Sequence, residues 1–151
     1  MIEILIVVVI LAILLLIALF SVQKRLAKGR DAHRKKDIDI LRQAFADYYN
    51  DHSQYPPANA IDNCGPPGPS DELYSYLKDI PCDPVTGNSY EYDLLDGDAR
   101  LGYRLLTDLE VDTDPQIKRV GCEFEWDGGC TGAGSYDYGV AVGAPMADSR
   151  W

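Results

Sequence analysis

The most constraining feature of this chain is a long uncharged run close to its N-terminus. Residues 4–22 are 19 consecutive residues without Asp, Glu, Lys or Arg, and nearly all of them are Ile, Leu, Val, Ala or Phe. As a helix rising about 1.5 Å per residue, this run spans roughly the 30 Å hydrocarbon core of a bilayer. Only Met1, Ile2 and Glu3 precede it, so it lacks the basic leading region of a secretory signal peptide. The sequence therefore predicts a transmembrane helix over residues 1–23.

The charge of the chain is divided unequally along its length. The 151 residues carry a net charge of −10, but residues 1–36 alone carry +5 and residues 37–151 carry −15. A strongly anionic domain repels a phosphate backbone, so the charge argues against direct contact with nucleic acid. Hydrophobic residues make up 46% of the chain, which argues against disorder. The length suits one compact domain with an appendage.

The helical pattern continues beyond the uncharged run. Residues 24–52 contain no proline and place apolar or aromatic side chains at spacings of three and four. This pattern predicts an amphipathic continuation, giving one helix from Ile2 to about His52. Tyr55, Pro56 and Pro57 end it, because the residue before a proline avoids the helical region. Residues 53–151 form a globular head. The predicted buried stripe consists of Ile38, Leu41, Phe45, Tyr48 and His52.

The head alternates apolar and polar residues with a period of two. Four segments show this alternation, near residues 90–94, 101–109, 120–126 and 136–142, and each predicts a half-buried strand. Short connections favour an antiparallel meander, and its apolar face needs a cover. The predicted fold is α+β: a long N-terminal helix, with an apolar stem and an amphipathic half, packed on a four-stranded antiparallel sheet.

Four cysteines predict disulfides and an oxidising compartment. Cys64, Cys82, Cys122 and Cys130 show no CxxC or Cys/His ligand spacing. Three pairings are open; we favour Cys64–Cys82 and Cys122–Cys130, and reduced buried cysteines are the alternative. The basic cluster at residues 24–36 would instead keep the head in the cytoplasm by the positive-inside rule. A basic leader before Met1, removed after insertion, would resolve this conflict.

The residues resemble a known family. The apolar opening at residues 1–14 with its single early acid, the helix end at residues 37–56, and the Asp83–Tyr92 turn and strand are similar to type IV pilins and the major pseudopilins of type II secretion. The resemblance implies leader cleavage by a prepilin peptidase, N-terminal methylation and an assembly platform. It implies a membrane-embedded subunit that polymerises, through helix packing, into an extracellular or periplasmic filament.

The resemblance also implies a role for Glu3. In the family the matching glutamate meets the N-terminal amine of a neighbouring subunit during assembly, and a carboxylate in an apolar setting does need a cation. The alternative is an acid that faces lipid head groups and favours the helix dipole. Glu3 lies two residues nearer the start than in family members. Ala12 and Phe20 replace the glycine and proline that often interrupt the family's helix, which predicts an unbroken helix here.

Further partners follow from the charges. The cations between Lys24 and Lys36 are expected to pair with Asp31, Asp37 and Asp39 of neighbours, or with lipid head groups before assembly. Related pseudopilins hold calcium in a late loop, so calcium is a candidate cofactor, although the acids match no EF-hand and surface acids are usually only solvated. The candidate ligands are Asp96, Asp98, Asp112 and Asp114.

Two functions of different classes remain. One is a structural subunit of a type IV pilus or pseudopilus, because apolar helices that leave a membrane must bury one another. The other is a monomeric, single-pass membrane-anchored domain that binds a ligand. Catalysis has no support, because neither His33 nor His52 belongs to a nucleophile, zinc or phosphate-loop motif; the sequence predicts that the chain is not an enzyme.

Overall fold

The computed structural model describes residues 2–68, 70–95, 99–120 and 136–143, without the side chains of residues 17–21. These residues fold as α+β. Helix α1 (Ile2–His52) is followed by β1 (Glu91–Leu94), β2 (Tyr103–Thr107), the short helix α2 (Pro115–Val120) and β3 (Tyr138–Val142). The bounds of α1 agree with the predicted helix. The chain leaves α1 through Ser53, which adopts a left-handed φ of 57°.

The three strands form one antiparallel sheet in the order β1-β2-β3. Leu105 in the central strand pairs with Tyr92 on one side and Val140 on the other. Because side chains alternate between the faces of a strand, these three residues share one face. That apolar face belongs to the main core of the head.

The second half of α1 covers this face with the predicted apolar stripe. Ile38, Leu41 and Phe45 have no exposed surface, and Tyr48 is nearly buried. The ring of Phe45 lies 4.8 Å from that of Tyr92, measured between ring centroids. His52 is the exception: it is exposed and stacks on Tyr48 with ring centroids 4.2 Å apart. On the other side of the sheet, a smaller core contains Leu106, Leu109 and Ile117.

The prediction of a four-stranded sheet is wrong, because the sheet of the described residues has three strands. The predicted strand near 120–126 fails at its first residue, since Val120 ends α2; residues 121–126 lie outside the described residues. The local reason is helix capping. Asp114 accepts a hydrogen bond from the backbone N–H of Gln116, and Pro115 occupies the first helical position, where proline is favoured.

The predicted architecture also included an apolar stem long enough to cross a bilayer. Within the part of the chain that the structure describes, no helix combines the length and the hydropathy that a membrane crossing requires. This element of the predicted fold is therefore corrected together with the strand count.

Candidate functional site

The first half of α1 presents an apolar surface with no cover from its own chain. Every residue from Ile2 to Leu16 is exposed, including Ile4 at 72% and Val9 at 48%. Thirteen of these fifteen residues are large and hydrophobic, so the exposed apolar side chains surround the helix on all sides. We call residues 2–16 the apolar surface. Among the described residues, the buried members of both core clusters begin only at Ile38.

Glu3 is the one acid on the apolar surface. It lies in the first turn of α1, where a carboxylate interacts favourably with the helix dipole, and it is exposed in the single chain. Its predicted role in assembly concerns a second molecule, so that role stays a prediction.

The second half of α1 carries a buried cation. Arg34 is only 4% exposed and binds three carboxylates, one from the preceding turn of α1 and two from the head. Its Nε donates to Asp83 at 2.6 Å, and its Nη1 donates to Asp31 at 2.8 Å and to Glu110 at 3.0 Å. Arg30 adds a two-pronged contact to Glu110 from the preceding turn. We call these five residues the ion cluster.

The ion cluster fixes two loops of the head onto the helix. Asp31, 2% exposed, accepts hydrogen bonds from the backbone N–H groups of Glu110 and Val111 at 2.9 and 3.0 Å. Burial disfavours the charge on Asp83, but hydrogen bonds from Arg34 and from its own turn outweigh it and lower the pKa of Asp83 to about 2. The pKa of Arg34 is raised for the same reason, against the opposing effect of burial. Both groups are therefore charged at neutral pH.

Two further contacts flank the ion cluster. Lys35 Nζ donates to Asp114 at 2.6 Å, which ties α1 to the start of α2. Asp37, buried, accepts a hydrogen bond of 2.8 Å from the hydroxyl of Tyr90 and bonds to the exposed His33. Burial and the carboxylate of Asp37 raise the pKa of Tyr90, so its hydroxyl stays protonated and donates.

Asp137 is a third buried acid among the described residues and lies just before β3. It is 2% exposed and accepts a hydrogen bond of 2.8 Å from the backbone N–H of Leu109. Burial, together with the neighbouring carboxylates of Asp108 and Asp31, raises the pKa of Asp137 to about 6. This part of the head therefore holds more negative charge than its cations balance.

The predicted disulfide between Cys64 and Cys82 is confirmed, and it closes a loop of 18 residues. Gly65 and Ile80 pair their backbones just inside it. Cys122 and Cys130 lie outside the described residues.

Two of the four candidate calcium ligands, Asp112 and Asp114, lie within the described residues. Asp114 is held by Lys35, Asp112 is exposed, and Asp96 and Asp98 lie outside the described residues. No group of three or more His, Cys, Asp and Glu side chains suited to a metal ion occurs in the described ranges.

The three acids expected to pair with neighbouring copies all have partners within their own chain. Asp31 and Asp37 are buried against their own chain, and Asp39 is exposed next to Arg42 at 3.3 Å. The ion cluster itself was missed by the sequence reasoning. The sequence did contain a signal for it. Asp31, Arg34 and Asp37 continue the spacing of the apolar stripe toward the N-terminus, and this spacing indicates that these charged residues lie on the buried face of the helix.

No protein-family model matches the chain, no curated protein matches it, and no solved structure matches it.

Proposed function

We propose that this chain is a structural subunit that polymerises through the apolar surface of α1 into a helical filament outside the cytoplasm. The observation that carries the proposal is the exposure of every residue from Ile2 to Leu16. Soluble monomers rarely leave apolar patches larger than a few hundred Å² in water. The resemblance to type IV pilins and pseudopilins supports the same function, with the acidic head forming the outer shell of the fibre.

The distribution of the apolar residues favours a bundle of many copies over a simple dimer. A dimeric coiled coil needs one apolar stripe on each helix, whereas a helix that is apolar all round must be surrounded. At about 25 cal/mol per Å² of buried apolar area, such packing drives association strongly even after the ordering cost. Parallel copies of this helix supply the surroundings.

Within such a bundle Glu3 requires a cation. A carboxylate buried among apolar side chains is unfavourable unless it is paired. Following the resemblance, we assign that pairing to the N-terminal amine of a neighbouring copy, which would align each incoming subunit in register with the last.

The test is the yield of sheared filaments from cells that carry the assembly machinery. Glu3→Gln should lower that yield at least about tenfold, which corresponds to about 1.4 kcal/mol per added subunit. Asp47→Asn, an exposed acid on the second half of α1, is the matched control and should not change it. Unchanged yield for Glu3→Gln would overturn the role of Glu3.

The same preparation tests the filament itself. Fibres that contain this chain support the proposal. If the unaltered chain sediments only with membranes, as a monomer, the anchored ligand-binding domain becomes the better description and the filament proposal fails.

A further inference from the structure

A basic segment of α1 is exposed to solvent, and its Lys28 acts on the carboxylate of Asp114 through charge alone. Lys24, Arg25 and Lys28 are exposed, and none of them makes a hydrogen bond or an ion pair with the residues that the structure describes. The cations one turn further on behave differently, since Arg30, Arg34 and Lys35 are all bound to carboxylates of the head. We call residues 24–28 the basic segment. It lies between the apolar surface and the head.

A polar cavity of about 270 Å³ opens where α1 meets the head. Arg34 lies at the helix side of this cavity, and its other charged lining residues are all acids: Asp83, Glu91, Asp108 and Glu110. Arg34 and Arg30 neutralise Asp83 and Glu110 within the ion cluster. The other two acids have no cationic partner within the described ranges: Glu91 accepts only from the hydroxyl of Tyr136, and Asp108 makes no hydrogen bond or ion pair.

The negative charge of the cavity raises the pKa of one of its own acids. Burial is the largest influence that raises the pKa of Asp108, and the carboxylates of Asp112 and Asp31 raise it further against the opposing effect of Arg34. A cation brought to the cavity would therefore be stabilised, and the chain itself supplies three exposed candidates on one short stretch of helix.

In neighbouring parallel copies, helix geometry can place the basic segment of one copy level with the ion cluster of the next. Seven residues of α-helix rise about 10.5 Å, close to two turns. If a second copy is displaced by this distance toward the N-terminus, its residues 31–35 lie level with residues 24–28 of the first. Lys24 and Lys28 also share the helical side of Asp31 and Lys35, the side on which the head lies.

We propose that the cavity bounded by Glu91 and Asp108 receives the basic segment of a neighbouring copy. The occupant is a second copy of this chain, and charge complementarity is the argument for it. Each copy then offers the basic segment at one level of α1 and the cavity about two helical turns further along it. Such a head-to-tail contact repeats without closing and produces a filament. This inference rests on the proposed filament function and assigns to it a specific contact between heads and helices.

Charge reversal in two separate chains tests the contact. Lys28→Glu alone and Asp108→Lys alone should each lower the yield of sheared filaments about tenfold, equivalent to about 1.4 kcal/mol per contact. Co-expression of the two variants should restore much of the yield, because each altered residue then meets its opposite on the other chain. Contact within a single chain would not permit this rescue between chains.

Matched reversals elsewhere control for net charge. Lys78→Glu and Asp79→Lys change exposed residues of the head outside the cavity and should leave the yield unchanged. The urea midpoint of each variant in detergent verifies that the head is folded, and Asp108→Asn serves as a milder second variant should Asp108→Lys fail this check.

The outcomes separate this inference from the function on which it rests. Filaments from both single variants at the unaltered yield overturn the contact and leave the filament function standing. Loss of yield without rescue by co-expression also overturns it. A third result would also overturn the contact: Lys28→Glu forms filaments normally but no longer binds vesicles rich in anionic lipid. That result would assign the basic segment to a membrane surface. Absence of fibres from the unaltered chain refutes the filament function itself.

Discussion

The two halves of α1 differ in where their side chains find partners. Residues 2–16 are exposed on every side, whereas in residues 30–48 one side of the helix is buried and the other is solvated. The backbone is helical throughout, so the difference lies in the side chains alone. The second half packs on one partner, the head of its own chain. The first half has no such partner within the described residues, and under the proposed function it packs on several identical helices of other copies.

Charge follows the same division. The second half binds the head through buried ions, with Arg34 bound to three carboxylates. Between the halves, the basic segment keeps its cations exposed. Buried ion pairs define a single arrangement because each partner left alone would be unfavourable, whereas apolar packing tolerates adjustment. The experiments below separate this helix–head contact from the association of helices.

The largest effect is expected from removal of the central cation. Arg34→Met leaves Asp31 and Asp83 buried without a counter-ion, which should lower the free energy of unfolding by about 4–5 kcal/mol. Lys36→Met, at an exposed position of the same helix, should change it by less than about 0.5 kcal/mol. Urea unfolding of the full chain in mild detergent measures both. Similar values for the two variants would show that the ion cluster does not hold the head on α1.

The aromatic core should give the next effect and the sharpest contrast between the halves. Phe45→Ala removes a fully buried ring and should lower the free energy of unfolding by about 3–4 kcal/mol. Leu11→Ala, at a position that is 59% exposed, should leave it within about 0.5 kcal/mol and instead reduce filament yield. A large loss of stability for Leu11→Ala would mean that the first half packs on its own head, contrary to the division drawn here.

Much of the helix could be predicted from sequence because its signals are local. The length of α1, its end before Pro56 and the burial of Ile38, Leu41 and Phe45 follow from propensity and periodicity. The ion cluster could not be assembled this way. Arg34 and its partner Glu110 are 76 residues apart, and spacing on a helix shows only that a charge is buried, not which acid it meets. The Cys64–Cys82 pairing was favoured by proximity, and it holds.

The sheet was harder to predict because alternation is a weak signal over five residues. Three of the four alternating segments gave strands. At Val120 the capping by Asp114 and the preorganised backbone of Pro115 produced a helix where alternation suggested a strand. At this one position a local start signal overrides a period of two.

The disulfide should matter for the head and not for the association of helices. Replacing both Cys64 and Cys82 by serine opens a loop of 18 residues, and the loop-closure estimate predicts a loss of about 3 kcal/mol in unfolding free energy. The unfolding midpoint in detergent measures this loss. The double variant, once folded, should still polymerise through the apolar surface. A folded double variant that forms no filaments would show that the head loop itself takes part in the contacts between copies.

The smallest effect is a dependence of head stability on pH. Asp137 has a pKa of about 6 in the folded chain, above its ordinary value of 3.8, so the folded state binds more protons between these values. Stability from this group is complete below about pH 4 and is lost as the pH rises through 6.

Asp137→Asn keeps an oxygen for the N–H of Leu109 but cannot ionise. It should be more stable than the unaltered chain at pH 7 by about 2–3 kcal/mol, and the difference should vanish below pH 4. Asp79→Asn, exposed, is the control and should show no such convergence. If the two chains have equal stability at pH 7, the excess negative charge around Asp137 is already compensated, and the head does not have the pH dependence expected here.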